Sequence, residues 1–311
     1  MDFSYLSRIE SYLSNRPFTE QRDRLGSLRY IGGIVGGEQP SRYSQSPLLW
    51  NLLFQHLRIP AYFAPFDLPP SKEFGPFLET VLQTPYCIDL TVTNPYKHAA
   101  YNALHKLNIP LTITERVHRL QSLNHVIFQP DSWFVDSTDG EGMVRAIKKR
   151  ILLKGRRVLL VGAGGAAASI GYELVREGAE LRIANITEED AHALKERLSG
   201  NTVLAGGFNK IPEWASECDV IISAITEASP LDREGIRKLP PSVLLVDTRY
   251  GEHAEFARLG RSLGRPTIDG KEMLFGQFYA AAFRVTRTLG VPETSVTEAL
   301  GRIEAEYLSV E

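Results

Sequence analysis

Residues 157–169 read RVLLVGAGGAAAS, an apolar strand-like run that passes straight into a glycine-rich turn and on into an alanine-rich helix. A strand joined to a helix by so short a turn belongs in a βαβ unit, and therefore in a parallel sheet covered by helices. Gly162, Gly164 and Ala167 stand in G-x-G-x-x-A spacing, with Gly165 completing the turn. In such a turn the first glycine permits the bend and the second lets backbone approach a pyrophosphate. A small third residue lets the helix pack close to the strand. The helix N-terminus then offers free N–H groups and the positive end of its dipole to the anion. A second strand-like run, LRIAN, ends at Asn185, the separation a dinucleotide site requires. The plain alternative is a tight turn with no ligand, and the strand–turn–helix context favours the nucleotide.

The same alternation extends over most of the chain. YIGGIVG (30–36), AYFAPF (61–66) and YCIDLTV (86–92) precede the helical runs PLLWNLLFQHL (47–57), KEFGPFLETVLQ (72–83) and YKHAAYNAL (96–104). HVIF and WFVDST suggest two short strands in the less regular stretch 112–137, and DVIISA (219–224) and VLLVDT (243–248) continue the second series. The expected fold class is α/β with mostly parallel sheets. The helical run 140–153 separates the two series. The chain is therefore expected to comprise an N-terminal α/β substrate domain (1–150) and a Rossmann-like, doubly wound dinucleotide-binding domain (151–270). A C-terminal helical segment (271–311), broken at Gly290–Pro292, is expected to return to the first domain. Phe3, Leu6, Ile9 and Leu13 recur at helical spacing and predict an amphipathic N-terminal helix.

A formal net charge of −2 provides no basic field for nucleic acid or a membrane surface. No apolar run reaches the length of a membrane span, and the N-terminal segment has no apolar core of a secretory signal. Cys87 and Cys218 lie in apolar strand-like runs and read as reduced, buried thiols of a cytoplasmic protein. No Cys/His spacing points to a metal.

Two further stretches carry chemistry. LTVTNPYK (90–97) ends a strand at Asn94-Pro95, where proline breaks the ladder and suits a turn or a helix start. Lys97 is thereby expected one turn into the next helix, at the sheet edge where open α/β proteins bind ligands. On position alone it is an ordinary solvated charge. ANITEED (184–190) ends the second strand of the nucleotide unit. Asn185 and Thr187 can hydrogen-bond a ribose, but no cation follows until Lys195, and Glu188, Glu189 and Asp190 crowd the turn. A 2′-phosphate would meet repulsion there, so NAD is expected in preference to NADP.

Together these segments resemble the shikimate/quinate dehydrogenase family from about Tyr30 to Gly290. RYSQSPLLWN is similar to its serine-x-serine-proline segment and VTNPYK to its V-T-x-P-x-K segment. STDGEG resembles its N-T-D-G segment, and DGKEMLFGQ its D-G-x-x-M-L-x-x-Q segment. The resemblance implies an oxidoreductase that moves a hydride between a nicotinamide cofactor and a secondary alcohol of a cyclic hydroxy-carboxylate, in a monomer or homodimer. It makes Lys97 and Asp139 the catalytic pair. Ser44 and Ser46 would bind the carboxylate, and Thr93, Asn124 and Gln277 the ring hydroxyls, with Tyr250 near the carboxylate or ring. Each has a plainer reading: Ser46 as cap of a helix starting at Pro47, Asp139 as part of an Asp-Gly turn, the others as routine polar satisfaction.

The pattern is not complete. Thr91 stands where the family has asparagine in N-V-T, and LQSLNHVIF keeps only Asn124 of the usual G-A-V-N-T run. Ser137 replaces an asparagine, ISAITEASPL replaces N-x-T-x-x-G-M, and ANIT replaces N-R-T. Quinate, an amino-substituted analogue or another cyclic hydroxy-carboxylate remain open as substrates. A ligand sensor on the same fold and a related two-domain dehydrogenase are the alternatives. A sensor has no need of a proton-transfer pair, and Ser44, Ser46 and Pro47 fit the second less well.

Overall fold

Two six-stranded sheets carry the chain, one in each of two compact units: Met1–Ser137 with Phe278–Glu311, and Thr138–Gln277. The computed structural model describes residues 28–309 apart from 38, 70–73, 83–86, 130, 199–201 and 227–228. The expected N-terminal helix through Phe3 and Leu13 lies outside the described residues.

In the first unit, β1 (Tyr30–Gly36) runs parallel to β2 (Ala61–Asp67) and β3 (Cys87–Val92). β4 (Leu111–Ile113), β5 (His125–Phe128) and β6 (Trp133–Asp136) complete the order β2-β1-β3-β5-β6-β4, with β5 antiparallel to both neighbours. Leu90, Val92, Val126 and Val135 join Phe66, Phe74, Phe77 and Leu104 in a buried apolar cluster. α1 (Pro40–Tyr43) and α2 (Ser46–His56) follow β1, α3 (Phe74–Leu82) follows β2, and α4 (Lys97–Leu104) and α5 (Glu115–Leu120) follow β3 and β4. Trp50 of α2 stacks on Phe63 of β2 at 5.4 Å and meets Phe278 edge-on at 5.2 Å. Such aromatic contacts fix geometry as well as burying area.

In the second unit, α6 (Asp139–Lys148) precedes a fully parallel sheet of β7 (Arg157–Val161), β8 (Glu180–Asn185), β9 (Val203–Gly207), β10 (Val220–Ser223), β11 (Leu244–Asp247) and β12 (Thr267–Ile268). Its order is β12-β11-β10-β7-β8-β9, so connections leave β7 in one direction and resume at β10 in the other. This is the doubly wound arrangement, with its switch point between β7 and β10. Its helices are α7 (Gly165–Arg176), α8 (Glu188–Leu198), α9 (Ile211–Ala215), α10 (Arg233–Lys238) and α11 (Glu255–Ser262). α12 (Gly270–Thr288) and α13 (Glu293–Ser309) close the chain.

The two-domain α/β architecture is as expected, but the boundaries differ. The chain divides at Ser137/Thr138 rather than near 150, and at Gln277/Phe278 rather than at 270/271. Glycine contacts explain both shifts. A Cβ on Gly142 would meet the Gln277 backbone N at 2.6 Å, and one on Gly276 would meet the Gly142 carbonyl at 2.4 Å. A Cβ on Gly140 would come 2.0 Å from the Ser169 carbonyl oxygen. α6 is thus seated on α7 and on the first turns of α12, and it goes with the nucleotide sheet. No described helix is long and apolar enough to cross a membrane.

Candidate active site

At the C-terminal edge of the first sheet, backbone bonds draw three of the expected residues together. Thr93 N–H donates to the Val35 carbonyl at 2.9 Å, Val92 N–H to the Asn124 carbonyl at 2.8 Å, and Leu123 N–H to the Lys97 carbonyl at 3.3 Å. Thr93 and Lys97 are half-buried, and Asn124 is buried. Lys97 opens α4 instead of lying one turn inside it. A turn closed by Tyr96 N–H on the Thr93 carbonyl, 3.0 Å, precedes it, so of the expected helical run 96–104 only Tyr96 falls outside α4.

β1, parallel to β3, ends at the same edge and leads through α1 to Ser44 and Ser46. Here the capping expectation is corrected. α2 begins at Ser46, and it is Ser44 Oγ that accepts the Ser46 N–H at 3.2 Å. The N-cap is Gln45, whose side chain makes no capping bond, and the Ser44 hydroxyl closes a local turn onto the first helical N–H instead. Ser46 is buried.

The remaining expected residues lie in the second unit. Asp139 is the first residue of α6 and is buried. Gly140 N–H donates to Ser169 Oγ of α7 at 2.9 Å, so the start of α6 is bonded to the helix of the glycine turn. Gln277, half-buried, follows the Gly142–Gly276 contact on α12. Tyr250, half-buried, leaves the end of β11. Asp139, Gln277 and α7 therefore share one neighbourhood of this unit, and Tyr250 sits on the sheet's C-terminal edge.

The glycine turn fits a dinucleotide. Gly162 has φ +120°, a conformation that side chains disfavour, and a Cβ there would meet the Ala224 carbonyl at 2.7 Å. Gly164 is exposed and caps α7, with no atom within 4 Å of where its Cβ would be. Ala167 is buried against the sheet. A glycine with open space before a helix N-terminus is what close approach of a phosphate requires. At the end of β8, Asn185 Nδ2 donates to the Thr187 carbonyl at 3.0 Å and to Asp190 Oδ2 at 3.5 Å. Ile186 is 77% exposed beside them.

Sequence reasoning missed several buried polar groups, because their partners are distant in the chain. Asp136 is fully buried and accepts from Arg116 Nε at 2.7 Å, Thr114 Oγ1 at 2.8 Å and Ser137 N–H at 2.8 Å. Arg284 of α12 approaches it at 3.4 Å. Burial alone would raise the Asp136 carboxyl, but the two guanidiniums and the hydrogen bonds hold it below its ordinary value. Asp89 pairs with His125 in the same unit, and there burial prevails over the imidazole and pushes the carboxyl up. Burial also raises the Cys218 thiol, to about 11. Among the described residues no cluster of His, Cys, Asp or Glu could hold a metal ion.

Residues 35–111 match the family model described as shikimate dehydrogenase substrate binding domain, and residues 145–247 match that of shikimate / quinate 5-dehydrogenase. The shikimate dehydrogenase (NADP(+)) of Thermococcus kodakarensis is 34% identical over 252 residues, 79% of this chain and 86% of its own. That of Anaeromyxobacter dehalogenans is 28% identical over 280 residues, 86% and 94% of the two chains. The crystal structure of shikimate dehydrogenase from Aquifex aeolicus superposes with a TM-score of 0.71 at 22% identity, covering 87% of this chain and 97% of that one, a likeness of fold. The chain belongs to the shikimate/quinate dehydrogenase family and is an oxidoreductase acting on a CH–OH group.

Proposed function

We propose that the protein oxidises a secondary alcohol of a cyclic hydroxy-carboxylate of the shikimate or quinate type, reversibly, with NAD as the preferred cofactor. The observation that carries this reading is the position of Lys97, at the start of α4 beside Thr93 and Asn124, on the kind of sheet edge where open α/β proteins bind ligands. When bound, the nicotinamide accepts the hydride. The chain must then take the hydroxyl proton, and Lys97 Nζ does so; as an ammonium it returns the proton to the carbonyl in reverse. Asp139 is the second member of the proposed catalytic pair. Ser44 and Ser46 bind the carboxylate through neutral hydroxyl donors, and Thr93, Asn124, Gln277 and Tyr250 fix the ring. Gly162, Gly164, Gly165 and Ala167 make the pyrophosphate turn, and Asn185 and Thr187 meet the ribose.

The named relatives are NADP(+) enzymes, yet the turn after β8 supports NAD here. It presents Ile186 with an exposed apolar side chain, and three acidic residues fill the first turn of α8. A phosphate at that place gains no cation from the turn and faces like charges. The test is to mix the protein with NAD or NADP and a panel of cyclic hydroxy acids and follow absorbance of the reduced nicotinamide. Turnover of shikimate or quinate, faster with NAD, is expected. No turnover of any such acid would overturn the substrate reading, and a tenfold preference for NADP, about 1.4 kcal/mol, would overturn the cofactor reading.

A further inference from the structure

We propose that Arg249 is a positioning residue for the nicotinamide half of the cofactor, acting through the backbone of Thr226. The inference rests on the dinucleotide reading above. In a doubly wound sheet the pyrophosphate sits at the N-terminus of α7 and the adenosine half extends toward β8, which leaves the ends of β10 and β11 for the other half. The segment that leaves β10 lies against the glycine turn. Ala224 N–H donates to the Val161 carbonyl at 2.8 Å, and a Cβ on Gly162 would come 2.7 Å from the Ala224 carbonyl and 3.4 Å from Ile225 Cγ2. Arg249, in the turn after β11, reaches this segment: its Nη1 donates to the Thr226 carbonyl at 2.7 Å. Its own carbonyl accepts the Gly270 N–H at 2.8 Å, at the start of α12, and its next neighbour is Tyr250. One residue thus joins the three segments that edge this side of the sheet.

The fold alone does not explain an arginine at this position. Asp247, its carboxylate neighbour, already accepts three backbone N–H groups, from Arg249 at 3.0 Å, Phe256 at 3.1 Å and Ala257 at 3.4 Å. The contact from Arg249 Nε to Asp247 is longer or as long, 3.4 Å. Arg249 Nη2 is buried and has no acceptor among the described residues. A buried donor left without an acceptor works against stability. An apolar side chain of similar length would therefore serve packing as well. What the guanidinium adds is the bond to Thr226, and with it a fixed path for residues 224–226 beside the glycine turn.

Arg249→Met and Arg249→Lys test this, with NAD and 5′-AMP each titrated calorimetrically and thermal unfolding measured alongside. 5′-AMP probes the adenosine side only. In Arg249→Met the affinity for 5′-AMP should stay within twofold of wild type, while that for NAD falls about tenfold, the order expected for one directed hydrogen bond. The KM for NAD should rise by the same factor with little change in kcat, and the melting temperature should hold. Arg249→Lys keeps the charge without the fork; it should show the same selective loss in smaller measure, and it carries the test if the methionine variant does not fold. Equal losses for NAD and 5′-AMP, or an unchanged NAD affinity, would overturn the proposal. Wild-type protein that binds neither nucleotide would remove the dinucleotide reading itself, and Arg249 with it.

Discussion

Replacing Asp136 by asparagine removes the charge at the centre of the first unit's polar network and leaves its shape almost unaltered. The side chain of Asp136 is 0% exposed, and its partners Arg116 and Arg284 are 10% and 27% exposed. Two guanidiniums would be left beside a neutral amide. Breaking a buried ion pair from one side costs about 3–5 kcal/mol. The lower end applies, since the amide oxygen can still accept from Thr114 and from the Ser137 N–H. With a urea slope of about 2 kcal/mol per molar, a loss of about 3 kcal/mol moves the midpoint down by about 1.5 M. Trp50 and Trp133 lie in this unit and report its unfolding, with Trp214 of the other unit silenced as phenylalanine. The pH dependence supplies a second check. The folded carboxyl lies below its ordinary value, so its contribution is present above about pH 4 and is lost as pH falls through the folded value. Wild type and variant should therefore converge in acid. A midpoint shift under about 0.3 M at neutral pH, or a difference that persists unchanged in acid, would refute the reasoning. The Asp136 carbonyl accepts the Asn124 N–H at 3.1 Å, so the same network supports a residue that we propose on the substrate side.

Two predictions concern the nucleotide unit. Gly164 has φ −72° and open space at its Cβ, so Gly164→Val should fold, with only the modest loss of stability that an unfavourable N-cap residue brings, yet bind NAD at least about tenfold more weakly, because the methyl groups fill the space a phosphate needs. Ile186→Arg puts a cation on the exposed turn after β8 and should move the NADP/NAD ratio of kcat/KM toward NADP by about tenfold, with no change in the rate with NAD; a ratio that does not move would remove this turn from cofactor choice.

The strands that were long and evenly apolar were legible in the sequence. YIGGIVG, HVIF and LRIAN became β1, β5 and most of β8 almost to the residue. β4, β9 and β12 were not foreseen. They span three, five and two residues, β9 reads VLAGG, and each is a strand because a neighbour supplies the ladder. The assignment of α6 to the nucleotide unit depends on Gly142 meeting Gly276, a contact across more than a hundred residues that no local pattern records. The candidate site divides in the same way. Gly162, Gly164 and Lys97 announce themselves through turns and strand ends, whose signals are local. Arg249 and the Asp136 network are invisible in sequence because a charged residue in a loop or at a strand end reads as solvated until its partners are known.

The central claim is that Lys97 exchanges the proton of the substrate hydroxyl during hydride transfer, and Lys97→Ala tests it directly. The assay follows reduced nicotinamide with a hydroxy acid that the wild type demonstrably oxidises, and NAD affinity is titrated in parallel. Turnover should fall on the order of 10²–10⁴-fold, the usual contribution of a general acid–base group, while NAD affinity is unchanged, because the glycine turn belongs to the other unit. Turnover within a few-fold of wild type would mean that Lys97 is a solvated helix residue, and the mechanism would be contradicted.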